Sequence, residues 1–177
     1  RSMKTLMLGI LALSIPLAAQ SGEKETLVRH WKTTGEFTVA VAEAMPADGY
    51  NFRPVPAEMS FGELMAHIAS ADLNACANAS GLERPPLPPE LAAWAKDSGK
   101  VDVSRVAALS FLHQAFDFCD KAVAGVTEDQ LDKLAGPAQR HLTGREWLWS
   151  YFTHTAHHRG QAEVYLRLKG ITPPGYR

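Results

Sequence analysis

Two histidines four residues apart, His154 and His158, are the side chains of this sequence best suited to chemistry. They lie in a stretch whose apolar spacing predicts a long helix, where residues four apart project from one face about 6 Å apart along the axis. Two imidazoles so placed can bind one metal ion. A third histidine, His67, lies on the predicted inward face of a second helix. Because helix bundles build metal sites from side chains on facing helices, the three histidines predict one mononuclear site.

Three neutral imidazoles leave a coordination position open for water or substrate, which is typical of catalytic or sensing sites. Zinc or nickel is the metal we expect, and iron, cobalt, copper or manganese would also be compatible with these ligands. The Glu-x-x-His spacing of di-iron bundles does not occur in the sequence. His113 is a reserve ligand, whereas His157 points about 100° around the helix from His158 and is left out of the metal shell. His30 and His141 are expected at the surface or in hydrogen bonds.

The alternative to a metal site is a set of core histidines that are satisfied by hydrogen bonds. A buried imidazole without a partner costs about 1–3 kcal/mol, so a single core histidine normally bonds to a backbone group or a hydroxyl. A pair four residues apart, together with an inward histidine on another helix, favours the metal instead. Arg159 and Gln161 follow the pair, and each either positions a substrate or stabilises the fold by capping and pairing.

The elements that must position these side chains are all predicted to be helices. Apolar periodicity predicts four long ones, at about residues 22–45, 60–79, 104–124 and 143–169. The proline-rich residues 82–102 predict a long crossover between the second and third of them, with a short helix near residues 90–96. Alternating strands and Asn-Gly hairpins are not evident. These features together predict an all-α four-helix bundle.

Helix starts are marked by three capping boxes, in which a hydroxyl and a Glu or Gln side chain three residues later satisfy each other's backbone N–H groups. They pair Ser60 with Glu63, Thr127 with Gln130, and Thr143 with Glu146. Gly81 and Gly170 are predicted to end the second and fourth helices. The apolar residues of the third helix that we expect to point inward are Val106, Leu109, Leu112, Phe116 and Val123.

The N-terminal residues are set apart from the fold. Residues 1–2, before Met3, are interpreted as a cloning scar, and residues 3–19 as a secretory signal peptide with a basic start, an apolar run and small residues at its end. Pro16 and Gln20 cut that run short of the roughly 20 residues that a membrane span needs. We therefore expect export to the periplasm or the medium, with no stable membrane span after cleavage. If residues 3–19 are instead an ordinary helix, the protein is cytoplasmic.

The remaining residues, 22–177, are predicted to form one domain. The composition of the chain narrows the classes of partner that this domain could have. The chain has 177 residues, of which 46% are hydrophobic, and a net charge of −1. Basic residues form no stripe, so nucleic acid is excluded as a partner and a small-molecule substrate is expected. Cys76 and Cys119 do not form a Cys-x-x-Cys motif. We expect two buried thiols, with a disulfide as the alternative in an exported protein.

Two segments resemble the motifs of a known family. Residues 52–54 with 59–67 resemble its first motif, in which the helix-two histidine is a ligand, and residues 154–161 resemble its second, in which histidines four apart are ligands. On these motifs, the chain after about residue 22 resembles the DinB-like family of metalloenzymes, which includes bacillithiol transferases. The resemblance implies that His67, His154 and His158 are the metal ligands.

The resemblance also implies an up-down-down-up bundle, one divalent metal ion and a homodimer. Characterised relatives use the metal to activate a low-molecular-weight thiol, which fits the deprotonation of a coordinated thiol. The apparent export signal departs from the family's usual cytoplasmic setting. Three interpretations follow: a metal-dependent enzyme for thiol transfer or hydrolysis, an exported bundle that binds a metal or ligand without catalysis, and a structural bundle with hydrogen-bonded histidines.

Overall fold

The computed structural model describes residues 22–99 and 101–176, so the interpretation of residues 1–2 and 3–19 falls outside the described residues. The described part contains six α-helices, four of them long, and a two-stranded ladder. They are α1 (Gly22–Ala44), α2 (Phe61–Ser80), α3 (Ala92–Lys96), α4 (Arg105–Gly125), α5 (Glu128–Asp132), β1 (Leu134–Ala135), β2 (Leu142–Thr143) and α6 (Gly144–Leu168). The all-α prediction is confirmed. No helix within these residues is both long and apolar enough to cross a bilayer.

Local capping chemistry sets the starts of α2, α5 and α6. At α2, the Ser60 hydroxyl accepts the backbone N–H of Glu63, while the Glu63 carboxylate accepts the N–H of Ser60 at 2.8 Å. The other two predicted capping boxes are present as well. Helix α2 ends at Gly81, whose φ of 73° lies in the left-handed region that glycine adopts without steric cost.

Side-chain contacts establish the directions of the long helices around α2. The Tyr165 hydroxyl donates to the Met59 carbonyl at 3.1 Å, and the Thr155 hydroxyl donates to Asp72 Oδ1 at 2.7 Å. Positions rise along α2 as they fall along α6, so these helices are antiparallel. Helix α4 runs parallel to α2, because Cys76 lies against Cys119 and the early residue Gly62 lies against Val103, just before α4. A Cβ atom at Gly62 would overlap the Val103 carbonyl, which explains the glycine.

Helix α1 lies on the other side of α4 and α6. The Arg105 side chain at the start of α4 donates to the Met45 carbonyl, just after α1 ends, so α1 and α4 are antiparallel. Arg145, in the first turn of α6, pairs with Glu23, in the first turn of α1, so α1 and α6 are parallel. These directions are those of an up-down-down-up bundle, in which the long connection between α2 and α4 joins two parallel helices.

The third long helix buries a slightly different stripe from the predicted one. Leu112, Phe116 and Val123 are buried, but Val106 is 78% exposed. The prediction for Val106 is wrong because its neighbours Ala107 and Ala108 form the buried face in the first turn of α4.

The expectation of two free thiols is also wrong, because Cys76 and Cys119 form a disulfide between α2 and α4. Both residues are fully buried, and their Cα atoms are 5.3 Å apart, within the usual range for a disulfide. The parallel packing of the two helices creates this proximity, and neither residue's local sequence indicates it. Because the cysteines are separated by 43 positions in sequence, a chain-entropy estimate gives about 4 kcal/mol of stabilisation.

The two-stranded ladder is an element that the sequence did not reveal. Leu134 pairs with Thr143, and Ala135 pairs with Leu142. Strands of two residues are too short to show an alternating pattern. The ladder matters because it closes the loop of residues 136–141 beside the start of α6.

Candidate metal centre

The structure brings His67 on α2 together with His154 and His158 on α6. Their potential ligand atoms all lie within 4.8 Å of one another. The Nε2 atoms of His67 and His154 are 3.1 Å apart. The ring of His158 lies 4.7 Å from that of His67 and 4.4 Å from that of His154, measured between centroids. The three imidazoles thus form one compact cluster, and each is half-buried.

Packing on both sides of the cluster determines which histidines meet. The bond from Tyr165 to Met59 and the bond from Thr155 to Asp72 flank the cluster along the α2–α6 interface. These two contacts hold the antiparallel register, so His67 lies opposite the turn of α6 that carries His154 and His158. A shift of one residue along either helix would rotate one histidine away from the other two.

The electrostatic environment keeps the imidazoles neutral. Burial, followed by the nearby His158 and His67, lowers the pKa of His154 to about 4. Burial and then His158 lower the pKa of His67, and burial lowers the pKa of His158 against the opposing effect of its bond to Gln161. Neutral imidazoles retain a nitrogen lone pair, which is the form that binds a metal.

The hydrogen bond of His158 defines its tautomer. Its Nδ1 lies 2.7 Å from Oε1 of Gln161, one turn further along α6. A carbonyl oxygen accepts, so Nδ1 carries the proton and Nε2 of His158 retains a free lone pair. Metal-binding histidines commonly have such a partner on the second ring nitrogen.

The spacing of the donors fits a single ion. Metal–nitrogen distances of about 2.0–2.1 Å place two ligand nitrogens of one ion roughly 3–4 Å apart. The 3.1 Å between Nε2 of His67 and Nε2 of His154 agrees with this spacing. Two imidazoles can share one proton at that distance, but three converging imidazoles cannot all satisfy one another. The cluster is therefore better suited to an ion than to an internal hydrogen-bond network.

A cavity of about 570 Å³ opens beside His67 and His154. Its walls come from four elements, and they mix polar and apolar groups. Besides the two histidines, they comprise Ser70, Ala71 and Asn74 of α2, Trp94 and Ala95 of α3 with the following Ser98, Arg140 of the ladder loop, and Ser150 and Tyr151 of α6. A small molecule in this cavity would lie next to the histidine cluster.

The other histidines remain outside the cluster. His157 is exposed, and its ring centroid lies 4.9 Å from that of His158. His113 is exposed and lines a separate cavity of about 400 Å³ between α1 and α4. His30 and His141 are exposed, as the sequence predicted.

Arg159 points away from the cluster, into the interface between α6 and α1. Its Nη1 donates to Oγ1 of Thr34 at 2.7 Å, and its guanidinium lies 4.5 Å from the ring centroid of Phe37. Of the two interpretations of Arg159, the structure supports stabilisation of the fold. Gln161 is the residue of this segment that reaches the cluster.

The region that contains this geometry matches a known family. A sequence model of the DinB superfamily matches residues 30–162, which include all three clustered histidines. The chain belongs to the DinB superfamily. The predicted family resemblance is thereby confirmed.

Two DinB-like proteins illustrate the relationship. The uncharacterized protein YjoA of Bacillus subtilis (strain 168) is 27% identical over 161 residues, covering 85% of this chain and 93% of YjoA. Its crystal structure superimposes with a TM-score of 0.63 at 25% identity over 86% of this chain and 97% of that one. The crystal structure of a DinB-like protein from Bacillus cereus ATCC 10987 gives a TM-score of 0.69 at 19% identity, over 86% and 97% of the two chains, and supports the shared fold.

Within this DinB-superfamily bundle, sequence reasoning missed several residues that border the histidines. Ser70 and Asn74 lie three and seven residues after His67, on the same face of α2, so helical spacing could have identified them. Arg140 had no such signal, because a loop delivers it and only the β1–β2 ladder determines where that loop lies.

Proposed function

We propose that this protein is a metal-dependent enzyme that binds one divalent ion through His67, His154 and His158 and transforms a small molecule by hydrolysis or group transfer, such as thiol transfer. Zinc or nickel is the proposed ion. The observation that carries the proposal is the convergence of three neutral imidazoles, with donor atoms within 4.8 Å of one another, beside a cavity of about 570 Å³. Ligand cavities for small molecules commonly have volumes of about 300–1,000 Å³.

The residues around the cluster have complementary roles in this proposal. A bound divalent metal supplies a Lewis acid that polarises a substrate oxygen or lowers the pKa of a coordinated thiol or water. Gln161 holds the proton on Nδ1 of His158. Tyr151 packs its ring 5.4 Å from that of His154, measured between centroids, and restrains that imidazole. Trp94 and Tyr151 contribute aromatic walls to the cavity.

Export is a second part of the proposal. The buried Cys76–Cys119 disulfide supports it, because disulfides persist in oxidising compartments and are rare in the cytosol. The signal peptide and the homodimer remain predictions. An exported bundle that binds metal without catalysis shares the disulfide and the histidines. The open cavity beside the histidines favours the enzyme over this alternative, because a storage or structural site needs no substrate space.

The decisive experiment compares two adjacent histidines. Protein purified without a histidine tag, after supplementation with zinc and nickel, is analysed for metal by mass spectrometry. We expect about one divalent ion per chain for the wild type and near-complete loss in His158→Ala, because a ligand is removed. His157→Ala is the matched control, since it removes an exposed imidazole next in sequence, and it should retain the metal.

Two results would contradict the proposed site. The first is near-zero metal in the wild type, and the second is equal metal loss in both variants. Catalysis is read separately, by turnover of 4-nitrophenyl acetate and of cysteine with 1-chloro-2,4-dinitrobenzene. Rates that are the same in the metal-loaded wild type and in His158→Ala would favour the non-enzymatic bundle.

A further inference from the structure

We propose that the cavity beside the histidine cluster recognises a carboxylate of its small-molecule ligand through Arg140. This role of Arg140 is separate from the metal site. The placement of the ligand's reacting end beside the histidines rests on the proposed function.

Arg140 is fixed in place although it is exposed. Its guanidinium carbon lies 5.3 Å from the ring centroid of Trp147 and 5.2 Å from that of Tyr151. Its Nη1 donates to the Tyr151 hydroxyl at 3.1 Å, and its backbone N–H donates to the Pro137 carbonyl at 2.8 Å. Cation–π contacts and these hydrogen bonds orient the guanidinium toward the cavity that it lines. An arginine that is positioned in advance loses little side-chain entropy when it binds an anion.

Arg140 forms no ion pair with an acidic side chain among the described residues. Arg53 and Arg145, by contrast, both form ion pairs with acidic side chains. The Nε and Nη2 groups of Arg140 form no hydrogen bond to the described part of the chain, so the edge of the guanidinium that carries them is free to bind a ligand. Such an edge matches the two oxygens of a carboxylate in a bidentate pair.

The α2 residues Ser70 and Asn74 also line the cavity and present hydrogen-bond donors. Arg84, which is not among the lining residues, donates to Oδ1 of Asn74 at 2.6 Å and to Oγ of Ser70 at 3.2 Å. Both oxygens therefore already accept a bond, which leaves the Asn74 amide N–H groups and the Ser70 hydroxyl proton to donate into the cavity. No acidic side chain is among the described residues that line it. A cavity lined by these donors and by a guanidinium without an acidic partner favours a ligand rich in acceptors.

A carboxylate fits these groups better than a phosphate does. Phosphate is usually held by several cations or by the free N–H groups of a helix N-terminus. Arg140 is the one permanent cation among the described residues that line this cavity, and the nearby start of α6 is already capped by Thr143 and Glu146. A single negative charge, delocalised over two oxygens, matches this set.

The first arm of the experiment uses chelator-treated protein and therefore does not depend on the metal. Succinate is titrated calorimetrically into the wild type and into Arg140→Gln. We expect saturable binding to the wild type and a dissociation constant roughly tenfold higher in the variant, the size expected for loss of a charge-assisted hydrogen bond. Arg29→Gln, which removes an exposed arginine of α1, is the charge-matched control and should bind like the wild type. Arg140→Lys retains the positive charge but lacks the planar guanidinium, so it should bind succinate with intermediate affinity.

The second arm tests the same residue beside the metal. Cobalt-loaded protein is titrated with 3-mercaptopropionate and with its neutral analogue 3-mercaptopropionamide, followed by visible absorption. We expect the acid to bind roughly tenfold more tightly than the amide in the wild type, and the two to bind equally in Arg140→Gln. Failure to load cobalt would contradict the proposed function alone, because the succinate titration still reports on Arg140.

Three results would overturn the inference about Arg140: no succinate binding to the wild type, equal succinate affinity in Arg140→Gln, or tighter binding of inorganic phosphate than of succinate. Thermal unfolding of each variant is recorded alongside. If Arg140→Gln is unfolded, the comparison of Arg140→Lys with Arg29→Gln decides, and equal succinate affinities in those two variants would overturn the inference as well.

Discussion

Neighbouring residues of α6 belong to two polar layers with opposite surroundings. His154 and His158 face α2, and with His67 they form the open layer, which borders the cavity at His67 and His154. Thr155 and Arg159, each the next residue along the chain, point into the bundle. Together with Asp72, Thr34 and Thr38 they form the closed layer, whose five members are all buried.

The closed layer largely satisfies itself from within the chain. The Thr155 hydroxyl donates to Asp72 Oδ1 at 2.7 Å, and Arg159 donates to Oγ1 of Thr34 at 2.7 Å. Within this layer, Oδ2 of Asp72 is the side-chain atom that is buried without a hydrogen-bond partner among the described residues. Burial raises the pKa of Asp72 to about 8, against the opposing effects of its bond to Thr155 and of the Arg159 charge. The carboxyl group therefore carries a proton at neutral pH and is not a charged ligand.

The polar atoms of the open layer are not all satisfied by hydrogen bonds within the described part of the chain. Its imidazoles are neutral and converge with their lone pairs, and Nδ1 of His154 is buried without a partner among the described residues. A buried polar group is normally satisfied by the protein, by a change in protonation or by a bound species. The closed layer uses the first two solutions, whereas the converging ring nitrogens of the open layer are suited to the third. Polar residues alone thus do not indicate a site, whereas polar residues that converge without internal partners do.

The largest expected effect concerns Asp72. Because its pKa is raised in the folded state, the carboxyl is protonated when folded and ionised when unfolded, so the stability of the wild type falls as pH rises from about 4 to about 8. Asp72→Asn removes this dependence and can still accept the Thr155 hydroxyl. The variant should gain on the order of 3 kcal/mol relative to the wild type between about pH 5 and pH 8. Urea unfolding at several pH values measures this gap, with the exposed Asp129→Asn as the control. A gap that does not change with pH would show that Asp72 is ionised in the folded protein.

The next largest effect is a loss of stability that distinguishes the closed layer from the open layer. Arg159→Ala removes a buried side chain and its bonds to α1, and it should lower the free energy of unfolding by about 2–3 kcal/mol. Arg159→Met keeps most of the packing, so we expect a smaller loss. Urea unfolding combined with metal analysis should show reduced stability with unchanged metal content, which is the reverse of the result expected for His158→Ala. Loss of metal in Arg159→Met would show that the layers are coupled.

The smallest effect lies at the edge of the open layer. Gln161→Leu removes the acceptor that holds the proton on His158 Nδ1, and the metal dissociation constant should rise roughly tenfold. Gln161→Glu keeps an acceptor at the same position and should bind metal at least as tightly as the wild type. Competition with a chromogenic chelator measures both constants. Unchanged affinity in Gln161→Leu would mean that packing alone orients His158.

Local signals predicted the elements of this fold well. The capping boxes at Ser60, Thr127 and Thr143 mark helix starts because they depend on residues only three positions apart. The alignment of His154 with His158 is equally local, since it follows from helical geometry. The prediction of which residues of α4 face the core was wrong at Val106, because the buried face of the first turn begins one residue later.

Contacts between distant segments were harder to predict. The disulfide was only the alternative to the two buried thiols that were expected, because the proximity of Cys76 and Cys119 depends on the packing of α2 beside α4. The direction of Arg159 was left open, because adjacent positions on α6 face different helices. Arg140 was not recognised, because its position depends on two pairs of ladder residues far from His67 in sequence.

The sequence by itself therefore determined the helices, the histidine pair and the family, since each depends on spacing within a short segment or on motifs that can be read residue by residue. The sequence also predicted that His67 joins the pair, whereas tertiary structure decided that Arg159 meets Thr34 and that Arg140 lines the cavity. The physical reason is that helix register and crossing position are set by the summed packing of many apolar side chains. No single residue carries that information, yet a shift of one position would exchange the open layer for the closed one.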